Sequence, residues 1–347
     1  MVLTTTIRMN IWTGLACALR TLSALFFILA GSVQAQGQTS VAALKKVKLA
    51  VPALSSIQMP PYVAKELGYY RQEGLDVELI MMRAGVSIQA LVAGNIDYTA
   101  SIGSTVAASV QGVKVLTVMA YATKPLYDLV ARPEISSYAQ LKGRVVGLAA
   151  LVGFQIEIPR AMLRRNGLDP KRDVTMILIG ATADRLAALR ANGIQAALMD
   201  PPYNFVAYKE GFRNLGFGGD YYQTVQGGFA ASERKLKTEA DEVRRFTRAT
   251  VRGFLAYSNQ RRIAIPIMQK YLKIADPELA EQIYGYTLGG LSSNGTLSED
   301  LIHTSIEAQR QAAGVTRPVA NDEVFEFSFV RAAMKELMGK NPAEAVR

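Results

Sequence analysis

The side chains with chemical potential in this sequence are mostly hydroxyls, amides and glycines next to helix starts. Ser55, Ser56 and Gln58 form one such group. Ser87 follows Gly85, and Ser101, Gly103, Ser104 and Thr105 form another. A second series holds Gly153 and Phe154, Thr182, and Asp200 to Tyr203, with Tyr127 between the two series. A helix start offers free backbone N–H groups and the positive end of the helix dipole, which suits oxygen atoms of a bound molecule. Hydroxyls there can add a donor without adding charge, or they can simply cap the helix. The chemistry these groups offer is recognition of a bound molecule, and no Asp/Glu pair stands out as a catalyst beside them. Asp200, beside Pro201 and Pro202, fits a cationic group or a helix cap, and Glu157 counts against a strongly anionic ligand directly beside it.

Residues for covalent chemistry are scarce. His303 is the sole histidine, so metal clusters and histidine-based triads have little to draw on. The glycines of Gly216 to Asp220 lack the Gly-Lys-Ser/Thr that would make a phosphate loop, so they mark a turn. No cofactor is expected. The 39 basic residues exceed the 29 acidic ones but are scattered singly or in pairs, so no nucleic-acid partner is expected.

The elements that must position these groups can be read from local grammar. In MPPYVAKELGYYRQEGLDVELI, Pro60 and Pro61 suit a first helical turn, and Val63, Ala64 and Leu67 make an apolar face. Gly68 and Gly74 stop helices, and Val77, Leu79 and Met81 alternate as in a strand. Tyr69 and Tyr70 are expected to pack inside rather than touch a ligand.

This helix–stop–strand unit recurs. ALVAGNIDYTA from Ala90 and ALRANGIQAAL from Ala188 match at an offset of 98, which also carries VKLAV at Val47 onto VVGLA at Val145. The strand of LDVELIM falls on that of TMILI in the same register. Two β-α-β-α-β lobes follow, each a mostly parallel sheet flanked by helices. Strands are expected near 47–52, 76–82, 96–102 and 113–120 in the first lobe, and near 144–150, 174–179 and 195–199 in the second. The chain leaves through residues 121–135, returns at Gly227 to Ala230, and ends in a helical section. The expected division is a leader over 1–35, a first part of lobe one over 43–126, lobe two with its crossings over 127–228, and a return to lobe one over 229–340.

The leader has Arg8 and Arg20 before an apolar run from Thr21 to Gly31, then Val33-Gln34-Ala35, the layout of a secretory signal peptide. The run is short for a membrane span of about 20 residues. Cys17, the sole cysteine, lies inside the leader and ahead of this run, so a chain cut after Ala35 carries no disulfide, which fits a periplasm.

PPYVAKELGYYRQEGLDVELI, QALVAGNIDYTASIGSTVAASVQGVKVLTV, LKGRVVG and GTLSEDLIHTSIEAQRQAAGV together resemble the nitrate/sulfonate/taurine-type periplasmic solute-binding proteins of ABC importers. The resemblance runs from about Val47 to Met338. It implies a two-lobed periplasmic binding protein fold of type II with two crossing strands as hinge. It also implies a monomeric receptor that takes a small anionic or zwitterionic organic molecule between its lobes and delivers it to a membrane permease. Thiamine-pyrimidine synthases resemble the same fold but use a catalytic histidine and a cysteine-rich segment, from which this chain departs. An enzyme of that kind, or a receptor feeding a sensor, remains the alternative.

Overall fold

The computed structural model describes residues 43–151 and 154–339; the leader and Gly153 lie outside them. Two five-stranded sheets organise the chain. The first is built from β1 (Lys45–Val51), β2 (Leu75–Met81), β3 (Tyr98–Thr99) and β4 (Val115–Ala122), joined by a late strand, β10 (Gly227–Ser232), in the order β2-β1-β3-β10-β4. The second uses β5 (Asp128–Ala131), β6 (Arg144–Leu148), β7 (Val174–Leu178), β8 (Ala196–Met199) and β9 (Arg213–Phe217), in the order β7-β6-β8-β5-β9.

The two orders are the same pattern. In each sheet the fourth position holds the one strand that runs antiparallel to its neighbours, and that strand is the first the chain lays down after crossing from the other sheet. The remaining pairings with β1 and β6 are parallel. Two mostly parallel sheets flanked by helices are thus borne out, as is the register of the internal repeat: Val47 on β1 and Val145 on β6 hold matching places.

Some elements differ from expectation. Residues 121–135 read only as the crossing out of the first lobe, and within them Asp128–Ala131 is a fully buried strand paired on both edges in the second sheet. Its four residues are too few to show a period, and only pairing on both edges makes it a strand. The strand expected over 96–102 shrinks to Tyr98–Thr99, because a helix begins at Ile102. Strand β9 had no expectation at all.

The opening stretch folds as its punctuation requires. Helix α1 (Met59–Glu66) carries prolines in its first turn, and Gly68 and Gly74 take left-handed φ values of 71° and 72° around a single turn, α2 (Tyr69–Gln72). Tyr69 and Tyr70 are buried. Tyr70 and Tyr98 both stack on Phe246, with the Tyr98 and Phe246 centroids 3.9 Å apart. Phe246 belongs to the long helix Ala240–Asn259, which crosses α1 so closely that a Cβ on Gly253 would lie 2.4 Å from the Pro60 carbonyl oxygen. Only glycine permits that approach.

The helical C-terminal section closes the first sheet. Helices Arg261–Leu272, Pro277–Leu288, Glu299–Ala313 and Ser328–Met338 follow the long helix, and their apolar faces join the core of the first sheet. The second sheet has its own cores, one on each face.

Candidate ligand-binding cleft

Four helix starts turn toward one space. Ser55 and Gln58 precede α1, Ala84 opens the helix Ala84–Ala93, Ile102 opens the helix Ile102–Val110, and Phe154 opens the helix Phe154–Arg165. All five residues line a cavity of about 940 Å³ that runs between the lobes. First-turn N–H groups have no intrahelical acceptor, so such a wall supplies donors without cations. Ser55 and Ser101 stand at cap positions, yet neither side chain caps its helix.

Of the residues singled out in the sequence, Ser55, Gln58, Ser101, Gly103, Ser104 and Phe154 line this cleft. The Ser104 hydroxyl finds no partner among the described residues. Gln58 is 5% exposed, and its Oε1 is buried without a hydrogen-bond partner. A buried amide oxygen left unpaired costs about 1–3 kcal/mol, which an incoming N–H or O–H donor would recover.

The other candidates are placed elsewhere. Ser56 is buried and accepts from Thr287 Oγ1 at 2.8 Å. Ser87 is fully buried, donates to the Ala84 carbonyl at 2.8 Å and accepts from Thr99 Oγ1 at 2.9 Å. Thr105, also fully buried, donates back to the Ser101 carbonyl at 3.1 Å. These three hydroxyls hold the loops of lobe one in shape and are not part of the cleft lining.

In lobe two, Thr182 donates to Asp200 Oδ1, and Arg185 reaches both, with its Nη2 at 2.8 Å from Thr182 Oγ1 and 3.4 Å from Asp200 Oδ1. Burial raises the Asp200 carboxyl above its usual value, against the Thr182 hydrogen bond and the Arg185 charge. Burial also lowers the Arg185 guanidinium. Tyr127 accepts from Gln155 Nε2 at 2.9 Å, and burial, helped by the Asp200 charge, pushes its phenol up to about 12. Tyr203 packs in the apolar cluster behind β5 and β8. Tyr127, Thr182, Asp200 and Tyr203 do not line the cavity.

Sequence reasoning missed two contributors. The return crossing lines the cleft through Tyr222, Thr224, Val225 and Gln226. The helix Glu299–Ala313 does so through Ala308, Gln309, Gln311 and Ala312. Ala308, Gln311 and Ala312 share one face at i, i+3 and i+4. That spacing of small and amide residues was the available signal.

The charge of the cleft is simple. Among the described residues that line it there is no lysine or arginine, and Glu157 is the one acid. Glu157 is held by Arg160 at 2.7 Å and faces Arg164 at 3.8 Å, so its charge is largely answered within its own helix. Four glutamines, 58, 226, 309 and 311, supply paired donors and acceptors instead. Among the described residues no group of three histidine, cysteine or acidic side chains is placed to hold a metal. His303 is exposed on the helix Glu299–Ala313. No helix among the described residues is long and apolar enough to cross a membrane.

A family model described as NMT1/THI5 like matches residues 57–261, more than half the sequence. The chain belongs to the NMT1/THI5-like family. Its fold is shared by the periplasmic aliphatic sulphonate-binding protein SsuA of Escherichia coli, at 16% identity and a TM-score of 0.63 over 81% of this chain and 97% of that one. The desulfurization enzyme DSZB has it too, at 13% identity and a TM-score of 0.62 over 84% and 99%. Among curated proteins, the riboflavin-binding protein RibY of Chloroflexus aurantiacus is 29% identical over 224 residues, 60% of this chain and 62% of that protein. The match thus spans less than two thirds of that relative's length. The family and the two-lobed fold agree with what the sequence resembles.

Proposed function

We propose that this chain is an exported, monomeric solute receptor that takes a small organic molecule between its lobes and hands it to the permease of an ABC importer. The observation that carries the reading is the cleft itself. It lies beyond the carboxyl ends of β1, β3 and β6, where open α/β sheets take ligands, and residues of both lobes and of the return crossing line it. The crossings around 122–128 and 217–227 would let the lobes close on the ligand.

The lining favours an uncharged, flat molecule over a compact anion. Phe154 and Tyr222 offer aromatic faces, while Ala53, Ala100 and Ala107 leave room for a ring. Glutamines can pair with amide-like ring edges. A sulfonate would meet helix starts but no cationic side chain. Riboflavin, the molecule named for the Chloroflexus relative, fits this description better than the sulphonates named for SsuA.

The fold also serves an enzyme, DSZB, so turnover must be tested beside binding. Liquid chromatography with mass spectrometry of whatever the native protein releases on denaturation separates the two. A receptor returns one small molecule unchanged after prolonged incubation. A chemically altered product would support an enzyme, and release of nothing from native extracts would contradict a receptor.

A further inference from the structure

A second cavity, of about 420 Å³, opens beside the cleft between the return crossing and the helix Glu299–Ala313. The two are joined: Gly103, Tyr222, Thr224, Val225, Ala308 and Gln309 belong to both linings. Ala308 is exposed, and its methyl group is too short to divide them. A ligand seated in the cleft against Tyr222 therefore has an open way into this groove.

The groove differs from the cleft in chemistry. Beyond the shared residues, its walls carry Tyr221, Gln223 and the hydroxyl residues Thr304 and Ser305, one helical turn from Ala308 and Gln309. Asp300 is its one carboxyl side chain, and no lysine or arginine lines it. Arg165, whose guanidinium lies 5.6 Å from the Tyr221 ring and donates to the Asp220 carbonyl at 3.1 Å, is not part of the lining. Hydroxyls, amides and a carboxylate accept from and donate to alcohol groups, and a carboxylate makes the stronger, charge-assisted bond. The same set repels a phosphate, because Asp300 would face it with no lysine or arginine in the lining.

We infer that the groove is a subsite for an uncharged polyhydroxyl tail, so that the ligand is a flat heteroaromatic head in the cleft with a sugar-alcohol chain reaching past Tyr222 to Thr304, Ser305 and Asp300. The inference rests on the receptor reading and deepens it. It separates this cleft from one built for a short sulphonate, which would leave the groove to water.

The test uses three probes that share the isoalloxazine ring and differ only in the tail: riboflavin, lumiflavin (a methyl group in place of the tail) and riboflavin 5′-phosphate. Affinities are read by quenching of flavin fluorescence. Riboflavin should bind on the order of tenfold more tightly than either of the others. Thr304→Val with Ser305→Ala should bring riboflavin down to the affinity of lumiflavin and leave lumiflavin unchanged. Both positions are partly or fully exposed, so the fold tolerates the pair. Equal binding of riboflavin and lumiflavin, or no effect of the double variant, overturns the subsite. Failure of all three flavins to bind overturns it as well, and the receptor reading is then judged separately by the released-ligand analysis. A released molecule without a hydroxylated tail refutes the subsite while keeping the receptor.

Discussion

The Tyr286 hydroxyl donates to Asp128 Oδ1 at 2.7 Å, joining the helix Pro277–Leu288 to the first strand laid down after the chain crosses to the second sheet. Asp128 is fully buried. Its other oxygen accepts from Asn204 Nδ2 at 2.8 Å and from Tyr208 at 2.5 Å, both from the helix Tyr203–Lys209. Phe205 and Phe217 meet the Tyr286 ring edge-on. One carboxylate thus ties the C-terminal section to lobe two beside the crossing segment.

This bond gives a pH prediction. Burial raises the Asp128 carboxyl above its usual 3.8, against the bonds from Tyr208, Asn204 and Tyr286. The folded protein therefore holds this proton at pH values where the unfolded chain has lost it. The contribution to stability is fully present below the usual carboxylate value and is lost as pH rises through the folded one. Asp128→Asn should flatten that slope. Melting temperatures of both proteins between about pH 4 and pH 7 would show the wild type losing ground to the variant as pH rises. Parallel curves would mean that Asp128 titrates normally.

Two neighbouring hydroxyls should separate binding from folding. Ser104 lines the cleft, whereas Thr105 is buried and bonded to the Ser101 carbonyl. Ser104→Ala should weaken ligand by about 1 kcal/mol and leave melting unchanged. Thr105→Val should lower stability by about 0.5–1.5 kcal/mol with affinity kept. Paired melting and titration of each variant decide it, and a reversed pattern would move the ligand away from this helix.

How much of this was legible follows from the kind of signal each part carries. The repeat announced both lobes because Val47 and Val145 sit in strands whose neighbours repeat at one spacing. The helix start at Met59 could be read from Pro60 and Pro61, since prolines act locally. Asp128–Ala131 could not, because its strand state comes from partners at both edges that lie far away in sequence. Ser87 and Thr105 are hydroxyl residues like Ser104, and only packing turns their hydroxyls inward. The cleft face of the helix Glu299–Ala313 was visible as a pattern, but which cavity it faced depended on the whole C-terminal section folding back.

Gly253 should be intolerant of any side chain. A Cβ there meets the Pro60 oxygen at 2.4 Å and the Ala64 Cβ at 2.6 Å. Gly253→Ala should cost about 1–3 kcal/mol through overpacking. Urea unfolding is the measurement, and an unchanged midpoint would show that the two helices can part without loss.

Charge selectivity should hinge on Glu157. Glu157→Gln removes the partner of Arg160 and places an unanswered cation near the cleft. Binding of an aliphatic sulphonate should strengthen and binding of an uncharged ring should change little. Titration calorimetry with both probes checks the sign, and no gain for the sulphonate would place Arg160 outside the ligand's reach.

The most direct test of ligand binding between the lobes is the amount of small molecule that stays with Ala308→Trp. Ala308 is exposed on its helix and lines both cavities, so an indole there fills the shared space without entering the core. Native mass spectrometry of wild type and variant, purified side by side, is the measurement. The account predicts one bound molecule per chain in the wild type, none in the variant, and equal melting temperatures once ligand has been removed from both. Full occupancy in Ala308→Trp would contradict it.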